Sequence, residues 1–248
     1  MGKGRPWCAD LPVVAAPSSG ALKPLTLVIA YYDNPIFLDT QCGVWRSYPS
    51  DLAAQLTVVI VDDGSPIPCV PRRDLPCRVR LFRIGVDVRW NWLAARNIGA
   101  HHADDGWLLL TDMDHVVPSD TLRALMVGHH DPAVVYALSR REHTGEPIGP
   151  HSASFLMTKQ MFWRIGGYDE ALSGHYGTDG DYRRRMAAVA PVQVLTDHLE
   201  RHEHIGDSST VRYKRKQPED ANVSRLIAKR GQGWRPRVLS FPYAEVCA

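Results

Sequence analysis

The chain has 248 residues, 44% hydrophobic and 23% charged, which suits one large α/β domain with a sizeable core and is ordinary for a soluble globule. Its 29 basic and 27 acidic side chains give a formal charge of +2, so there is no global electrostatic reason to expect nucleic acid or an anionic membrane as partner. Cys8, Cys42, Cys69, Cys77 and Cys247 are odd in number and lack a Cys-x-x-Cys spacing, which supports neither a disulfide framework nor a zinc site.

Residues 1–23 are rich in Pro, Gly and Ala without sustained periodicity, and are expected to form a flexible or peripherally packed arm. The apolar patch at 11–16 is short and broken by Pro12, unlike a secretory signal. No stretch approaches the roughly 20 apolar residues of a membrane span, so a cytoplasmic protein is expected. The core begins near Pro24. The run Leu25-Thr26-Leu27-Val28-Ile29-Ala30 reads as a strand buried on both faces and leads into Tyr31-Tyr32-Asp33-Asn34-Pro35, where Asn-Pro marks a turn. A helix follows over 36–47, with Leu38, Val44 and Trp45 on its buried side. A second strand at 56–61 ends in Asp62-Asp63-Gly64-Ser65-Pro66; four prolines make 66–76 a loop, and 79–84 is a short strand. Residues 90–102 carry a helical distribution of Trp90, Leu93, Ala94, Ile98 and Ala100. Beyond the turn-like 103–106, Trp107-Leu108-Leu109-Leu110 forms another buried strand that ends in Asp112-Met113-Asp114. Ser119-Asp120-Thr121 offers an N-cap to a helix through Val127. Later strands are expected at 133–138, 154–157 and 192–195, with a helix at 179–189. Past Ile205 the chain turns polar and charged, with one helix at 219–229 ended by Gly231. There is no internal repeat and no second core.

Three strands of parallel type thus end in polar clusters, and in open α/β sheets that edge is where ligands bind. Two hard oxygen donors one residue apart, Asp112 and Asp114, suit a divalent cation carrying phosphates. Taken alone, such a pair is as readily a solvated turn. Alternation puts residues i and i+2 on one face, so the two acids converge only if Met113 points into the core. Further on, Gly166-Gly167-Tyr168-Asp169-Glu170 is followed by Tyr176-Gly177-Thr178-Asp179-Gly180-Asp181, a glycine-flanked acidic pair opening a helix.

The order of five pieces resembles the inverting family-2 glycosyltransferases of the GT-A fold over about residues 25–204. These are the first strand ending in an aromatic, Val61-Asp62-Asp63-Gly64-Ser65, Ala95-Arg96-Asn97-Ile98-Gly99, the Asp-x-Asp, and Gly-Gly-Tyr-Asp-Glu with its acidic pair. A fainter likeness runs to polypeptide N-acetylgalactosaminyltransferases and galactosyltransferases. The resemblance implies an α/β fold: a single GT-A domain at 24–204, with a Rossmann-like, mostly parallel central sheet flanked by helices. The extension 205–248 would hold a lid, Arg212 to Lys216, closing over a diphosphate. The implied activity is metal-dependent transfer of a sugar from a nucleotide diphosphate, a UDP-sugar, to an acceptor hydroxyl.

Residue by residue, the resemblance makes Asp114 a metal ligand and sets Asp112 on the ribose, the metal or a metal-bound water. His202, with His204 as a close rival, would complete the coordination; a nitrogen ligand favours Mn²⁺ over Mg²⁺. Asp63 would accept the uracil imide N–H, the alternative being an Asx-type turn. Tyr32 would flank the ring, and Ala30 stands where a small hydroxyl residue or proline is usual. Arg96 would face the diphosphate or base, or else form a structural salt bridge. Gly166 and Gly167 would let backbone approach the donor sugar, and Tyr176 would offer it an aromatic platform or pack in the core.

Asp179 would be the general base of an inverting transfer, held ionised by the dipole of its helix. Thr178 stands where Glu is usual, which makes Asp181 the substitute; either acid would otherwise simply favour a helix N-terminus. The acceptor is open among a glycan, a lipid-linked saccharide, a protein, a small molecule and a modified nucleic-acid base, and retaining enzymes share the fold and the Asp-x-Asp. The rival readings are a nucleotidyltransferase making nucleotide sugars, which calls for a glycine-rich phosphate loop that Tyr31-Tyr32-Asp33-Asn34-Pro35 is not, and a non-catalytic nucleotide-sugar or carbohydrate-binding protein.

Overall fold

A computed structural model describes residues 7–16, 20–202, 220 and 222–246. Its strands are β1 (Val13–Val14), β2 (Leu25–Tyr31), β3 (Leu56–Asp62), β4 (Arg78–Ile84), β5 (Trp107–Asp112), β6 (His115–Val116), β7 (Val135–Glu142), β8 (Pro147–Ile148), β9 (Phe155–Thr158), β10 (Val192–Arg201) and β11 (Tyr243–Val246). They join in one sheet of order β1-β10-β7-β9-β5-β2-β3-β4-β11, with β6 on β10 and β8 on β7. The sheet is parallel through β5, β2, β3 and β4, while β9 runs antiparallel between β5 and β7. This is the α/β architecture that the apolar runs predict.

Both faces are covered, so the central strands are apolar on both sides. One face carries α1 (Pro35–Ser47), the single-turn α2 (Ser50–Ala53) and α4 (Ser119–Val127), with Leu38, Trp45, Leu52 and Leu122 among the buried side chains. Asn34 caps α1 by accepting the Phe37 N–H at 3.2 Å, and Pro35 enters at the first helical position, where its missing N–H costs nothing. The other face carries α3 (Trp92–His102), α5 (Lys159–Ile165) and α6 (Asp179–Val189). Gly99 lets α3 lie directly on β2, since a Cβ there would sit 2.3 Å from Val28 Cγ1.

Several elements differ from the sequence expectation. Strand β10 does not stop at Leu195: a register shift between Leu195 and His198 carries it on beside β7, and Arg201 pairs with His115. That extension is polar and charged, so no hydrophobic pattern announces it. Helix α5 spans seven residues between the Thr158 cap and left-handed Gly166, too short for periodicity to reveal. Val13 and Val14 pair with β10, so part of the expected arm joins the sheet edge.

The chain beyond α6 also belongs to this framework, through α7 (Asn222–Ala228) and β11, which pairs antiparallel with β4. Two buried acids hold it there. Glu170 accepts from Leu239 N and Ser240 N, each at 2.7 Å, and from Ser240 Oγ at 2.6 Å. Asp169 accepts from Arg237 N at 3.0 Å and pairs with Arg230 at 2.6 Å. His204 and the proposed lid, Arg212 to Lys216, lie outside the described residues.

The segment after β5 is fixed from beneath. Buried Gln41 donates through Nε2 to the carbonyls of Met113 (2.9 Å) and His115 (2.8 Å), and Tyr48 donates to Val117 O at 2.6 Å. Because an unsatisfied buried carbonyl costs roughly 1–3 kcal/mol, Gln41→Leu is expected to lower unfolding free energy by about that much. Urea denaturation is the measurement; an unchanged midpoint would show that these carbonyls find other donors.

Candidate active site

At the carboxyl ends of β2, β3 and β5 lies a cavity of about 350 Å³. Ala30, Tyr32, Asp63, Asp112, Met113 and Asp114 line it from the strand ends; Trp90, His151 and Tyr176 line it from connecting segments and Asp179 from the start of α6. The acids singled out in three separate motifs therefore share one enclosure.

The adjacent acids after β3 divide the labour. Asp62 makes the turn, its oxygens accepting Ser65 N and Cys69 N, each at 2.9 Å. The Asx-type role considered for Asp63 thus belongs to its neighbour. Asp63 is buried and its Oδ1 has no hydrogen-bond partner among the described residues. Burial, reinforced by Asp62 and Asp87, pushes its pKa well above the ordinary carboxylate range. Gly64 adopts φ +71°, and a Cβ there would lie 2.2 Å from Val86 O, so glycine lets the loop after β4 close over this corner. Tyr32 stands beside it, its hydroxyl donating to Asp87 at 3.0 Å.

Strand alternation is not what brings the two acids together: β5 ends at Asp112, and Met113 and Asp114 form the tight turn into β6, so that Asp112, Asp114 and the largely buried Met113 all border the cavity. Asp112 Oδ1 pairs with Arg96, a fully buried guanidinium that also donates to Ala153 O and, at 3.0 Å, to Tyr168 Oη. Arg96 is not on the cavity wall and acts on it through Asp112. Asp114 Oδ1 lies 2.7 Å from His115 Nδ1, and His115 Nε2 lies 3.3 Å from Arg140 Nη1. Arginine only donates, so Nε2 is the acceptor and Nδ1–H donates to Asp114. His151 occupies the other flank, its Nε2 3.4 Å from Asp112 Oδ2 and its ring stacked 4.4 Å from that of His115. Burial pushes the His151 pKa down to about 3, so its imidazole is neutral at physiological pH. Sequence reasoning missed this residue: it stands in an irregular segment with no spacing relation to the acids, and only the antiparallel insertion of β9 brings it to them.

Asp179 is the first residue of α6 and lines the cavity. The helix dipole was expected to keep its pKa low; instead burial, followed by the charge of Asp112, raises it, with Arg183 and Arg96 pulling the other way. Desolvation outweighs the dipole here. Asp181 is off the cavity wall, buried in ion pairs with Arg185 (3.1 Å) and Arg230. Gly167 is also off the wall: its φ is +64°, and a Cβ would lie 2.9 Å from Asn97 Oδ1, so the close approach it permits is to Asn97. His202 donates its backbone N–H to Asp114 O at 2.9 Å while its ring stacks on His143 at 5.7 Å, again off the wall. Trp90, at φ +54°, brings its ring within 5.2 Å of Tyr176 across the mouth. Asp220 clamps the two flanking loops, accepting Tyr176 N at 2.8 Å and pairing with Arg89 at 3.2 Å.

Among the described residues, no three His, Cys, Asp or Glu side chains already surround a point where a metal ion would sit. Two carboxylates on one wall fit a different arrangement, a cation that arrives with phosphate oxygens in its sphere and needs only one or two protein carboxylates.

The profile of glycosyl transferase family 2 matches residues 49–183, more than half of the chain. Among solved structures, residues 1–349 of S. aureus TarS in complex with UDP-GlcNAc align with a TM-score of 0.62 at 16% identity, covering 83% of this chain and 65% of that one. GalNAc-T7 with UDP, GalNAc and Mn²⁺ aligns with a TM-score of 0.59 at 16% identity, covering 84% and 48%. The mannosyltransferase PcManGT from Pyrobaculum calidifontis, in complex with GDP-Man and Mn²⁺, aligns at 0.55 and 16%, covering 89% and 69%. At such identities the likeness is one of fold, and this chain spans less than two thirds of the TarS fragment. No curated protein sequence matches significantly.

The raised pKa of Asp63 has a consequence for stability. The folded state holds this proton more tightly than the unfolded chain, so the carboxylate destabilises the protein as pH rises above its ordinary value of 3.8. Asp63→Asn is therefore expected to raise Tm at pH 7, by about 2–4 °C for each 1 kcal/mol of relieved charge burial in a domain of this size, with the gain fading below pH 4. Thermal unfolding across pH tests this; a gain independent of pH would show that charge is not its cause.

Proposed function

Since the chain belongs to glycosyl transferase family 2, we propose that it moves a sugar from a UDP-sugar to an acceptor hydroxyl by an inverting, metal-dependent displacement with Asp179 as base. The observation that carries this reading is the meeting of Asp63, Asp112, Asp114 and Asp179 on one cavity. Asp63 Oδ1, buried and unpartnered, offers a single acceptor for the imide N–H of uracil, and Tyr32 flanks the ring. Asp112 and Asp114 are the residues that would hold a divalent cation, Mn²⁺ or Mg²⁺, whose charge would offset that of the departing diphosphate. Asp179 takes the acceptor hydroxyl's proton as that oxygen attacks, and its raised pKa makes it a stronger base than an exposed carboxylate.

Tyr176 and Trp90 shape the mouth through which the acceptor enters. No helix among the described residues is long and apolar enough to cross a membrane; together with the free thiols of Cys8, Cys42, Cys69 and Cys77, this supports a cytoplasmic place of action. A nucleotidyltransferase has no support, because the turn after β2 has no glycine-rich phosphate loop.

UDP with Mn²⁺ is expected to stabilise the protein by about 2.7 kcal/mol at 100 times its dissociation constant. Equal thermal shifts from every nucleoside diphosphate, with or without metal, would count against both the base and the metal assignments. Asp114→Asn should keep the fold and lose the metal-dependent part of that shift, since a neutral amide is a poor ligand for a hard cation. Asp179→Asn should bind UDP normally and turn over about 10²- to 10⁴-fold more slowly. A product that keeps the donor's anomeric configuration would remove the base role altogether.

A further inference from the structure

Resting on the reading of this cavity as a donor site, we propose that Thr178 reads the sugar being transferred: its hydroxyl hydrogen-bonds a ring hydroxyl of that sugar and so selects the donor. Thr178 borders the cavity and is only 2% exposed. It stands at the N-cap of α6, where a threonine hydroxyl ordinarily accepts an N–H of the first helical turn. Here it makes no such bond: with φ −83° and ψ −11° the residue is itself helical, unlike the extended conformation of a capping residue. Among the described residues Oγ1 has no hydrogen-bond partner at all, although it is shielded from solvent. Buried hydroxyls are rarely left so, and valine would fill the position without an unpaired polar atom. The approach left to a partner is from the cavity.

The backbone on either side of this hydroxyl is fixed. Gly177, at φ +81°, turns the chain from exposed Tyr176 inward to Thr178. Tyr176 N donates to Asp220 at 2.8 Å, and Asp181 N donates to Thr178 O at 3.1 Å, with the Asp181 side chain locked to Arg185 and Arg230. A hydroxyl that can both donate and accept, next to the rings of Trp90 and Tyr176 at 5.2 Å from each other, suits a ligand that carries hydroxyls on an apolar ring. Depth separates the two substrates that could meet it. The acceptor enters after the donor and lies outermost, past Tyr176, which is 42% exposed, whereas Thr178 is shielded from solvent and belongs to the deeper layer that the donor fills.

Isothermal titration of the full chain in a Mn²⁺ buffer, with UDP, with UDP-glucose, UDP-galactose and their 2-acetamido counterparts, and with deoxy analogues of the sugar that binds best, gives each affinity relative to UDP. For that best sugar the ratio is expected to fall about 2- to 10-fold in Thr178→Val, with affinity for UDP itself unchanged, and to be kept in Thr178→Ser, which retains the hydroxyl. One deoxy analogue, lacking the hydroxyl that Thr178 reads, is expected to bind the wild type and Thr178→Val equally. The Tm of Thr178→Val is expected to match or exceed that of the wild type. Unchanged ratios in Thr178→Val, an equal loss for UDP and UDP-sugar, or a lowered Tm that marks the hydroxyl as a structural partner would overturn the assignment and leave the donor site standing. Failure of the wild type to bind UDP or any of these UDP-sugars would defeat the donor reading, and the role of Thr178 with it.

Discussion

The interaction on which the rest depends is the ion pair between Arg96 and Asp112. A guanidinium with no solvent exposure has to be neutralised in place, and Asp112, itself partly exposed to the cavity, is the carboxylate that does so. Arg96 comes from α3, Asp112 from the end of β5, Ala153 from the approach to β9, and Tyr168 from the turn after α5; one side chain ties all four. The demand for charge balance thus sets the position of the first acid of the Asp-x-Asp. The second is set by a different cation acting at one remove, through Arg140 and His115. Each carboxylate keeps one oxygen engaged by the protein, so the orientation of both exists before any ligand arrives.

The floor of the cavity was legible because it is made of apolar strands. Residues 25–30, 56–61 and 107–110 are β-branched or aliphatic runs too short for helices, and the acids behind them fall at the strand ends. Which of two neighbouring acids turns inward was not legible. Asp62 and Asp63 look equivalent in sequence, and only the loop geometry gives the turn to Asp62 and the cavity to Asp63. The walls were harder still, because they come from irregular segments whose neighbours are fixed by sheet order. His151 reaches Asp112 because β9 runs antiparallel beside β5. Likewise Asp181, two residues from Asp179, is separated from the cavity by the helical turn between them and by the cations waiting on the other side.

The acids that face the cavity are kept in an environment that opposes their charge. Asp63 and Asp179 are both shifted upward by burial first and by like charges second. A protein selected for stability alone would not keep such groups. Their cost is carried by the framework around them: Gln41 and Tyr48 beneath the Asp-x-Asp, and Asn97 and Glu170 under the glycine pair. The strain of Trp90, a non-glycine residue at positive φ on the cavity edge, belongs to the same pattern.

The stretch that matches the family ends at residue 183, yet the electrostatics of the fold do not close there. Asp169, Glu170 and Asp181 are buried acids that, beside nearer partners such as Asn97 and Arg185, take donors from Arg230, Arg237, Leu239 and Ser240, some fifty residues past that edge. A fragment cut at the edge of the recognisable motif would leave Asp169 and Asp181 without the Arg230 counter-charge, Glu170 without three of its donors, and the edge of β4 without β11 as its neighbour. Unpaired edges of this kind recruit other chains. The limits of the folded framework are therefore set by where its buried charges are answered and not by where sequence similarity stops.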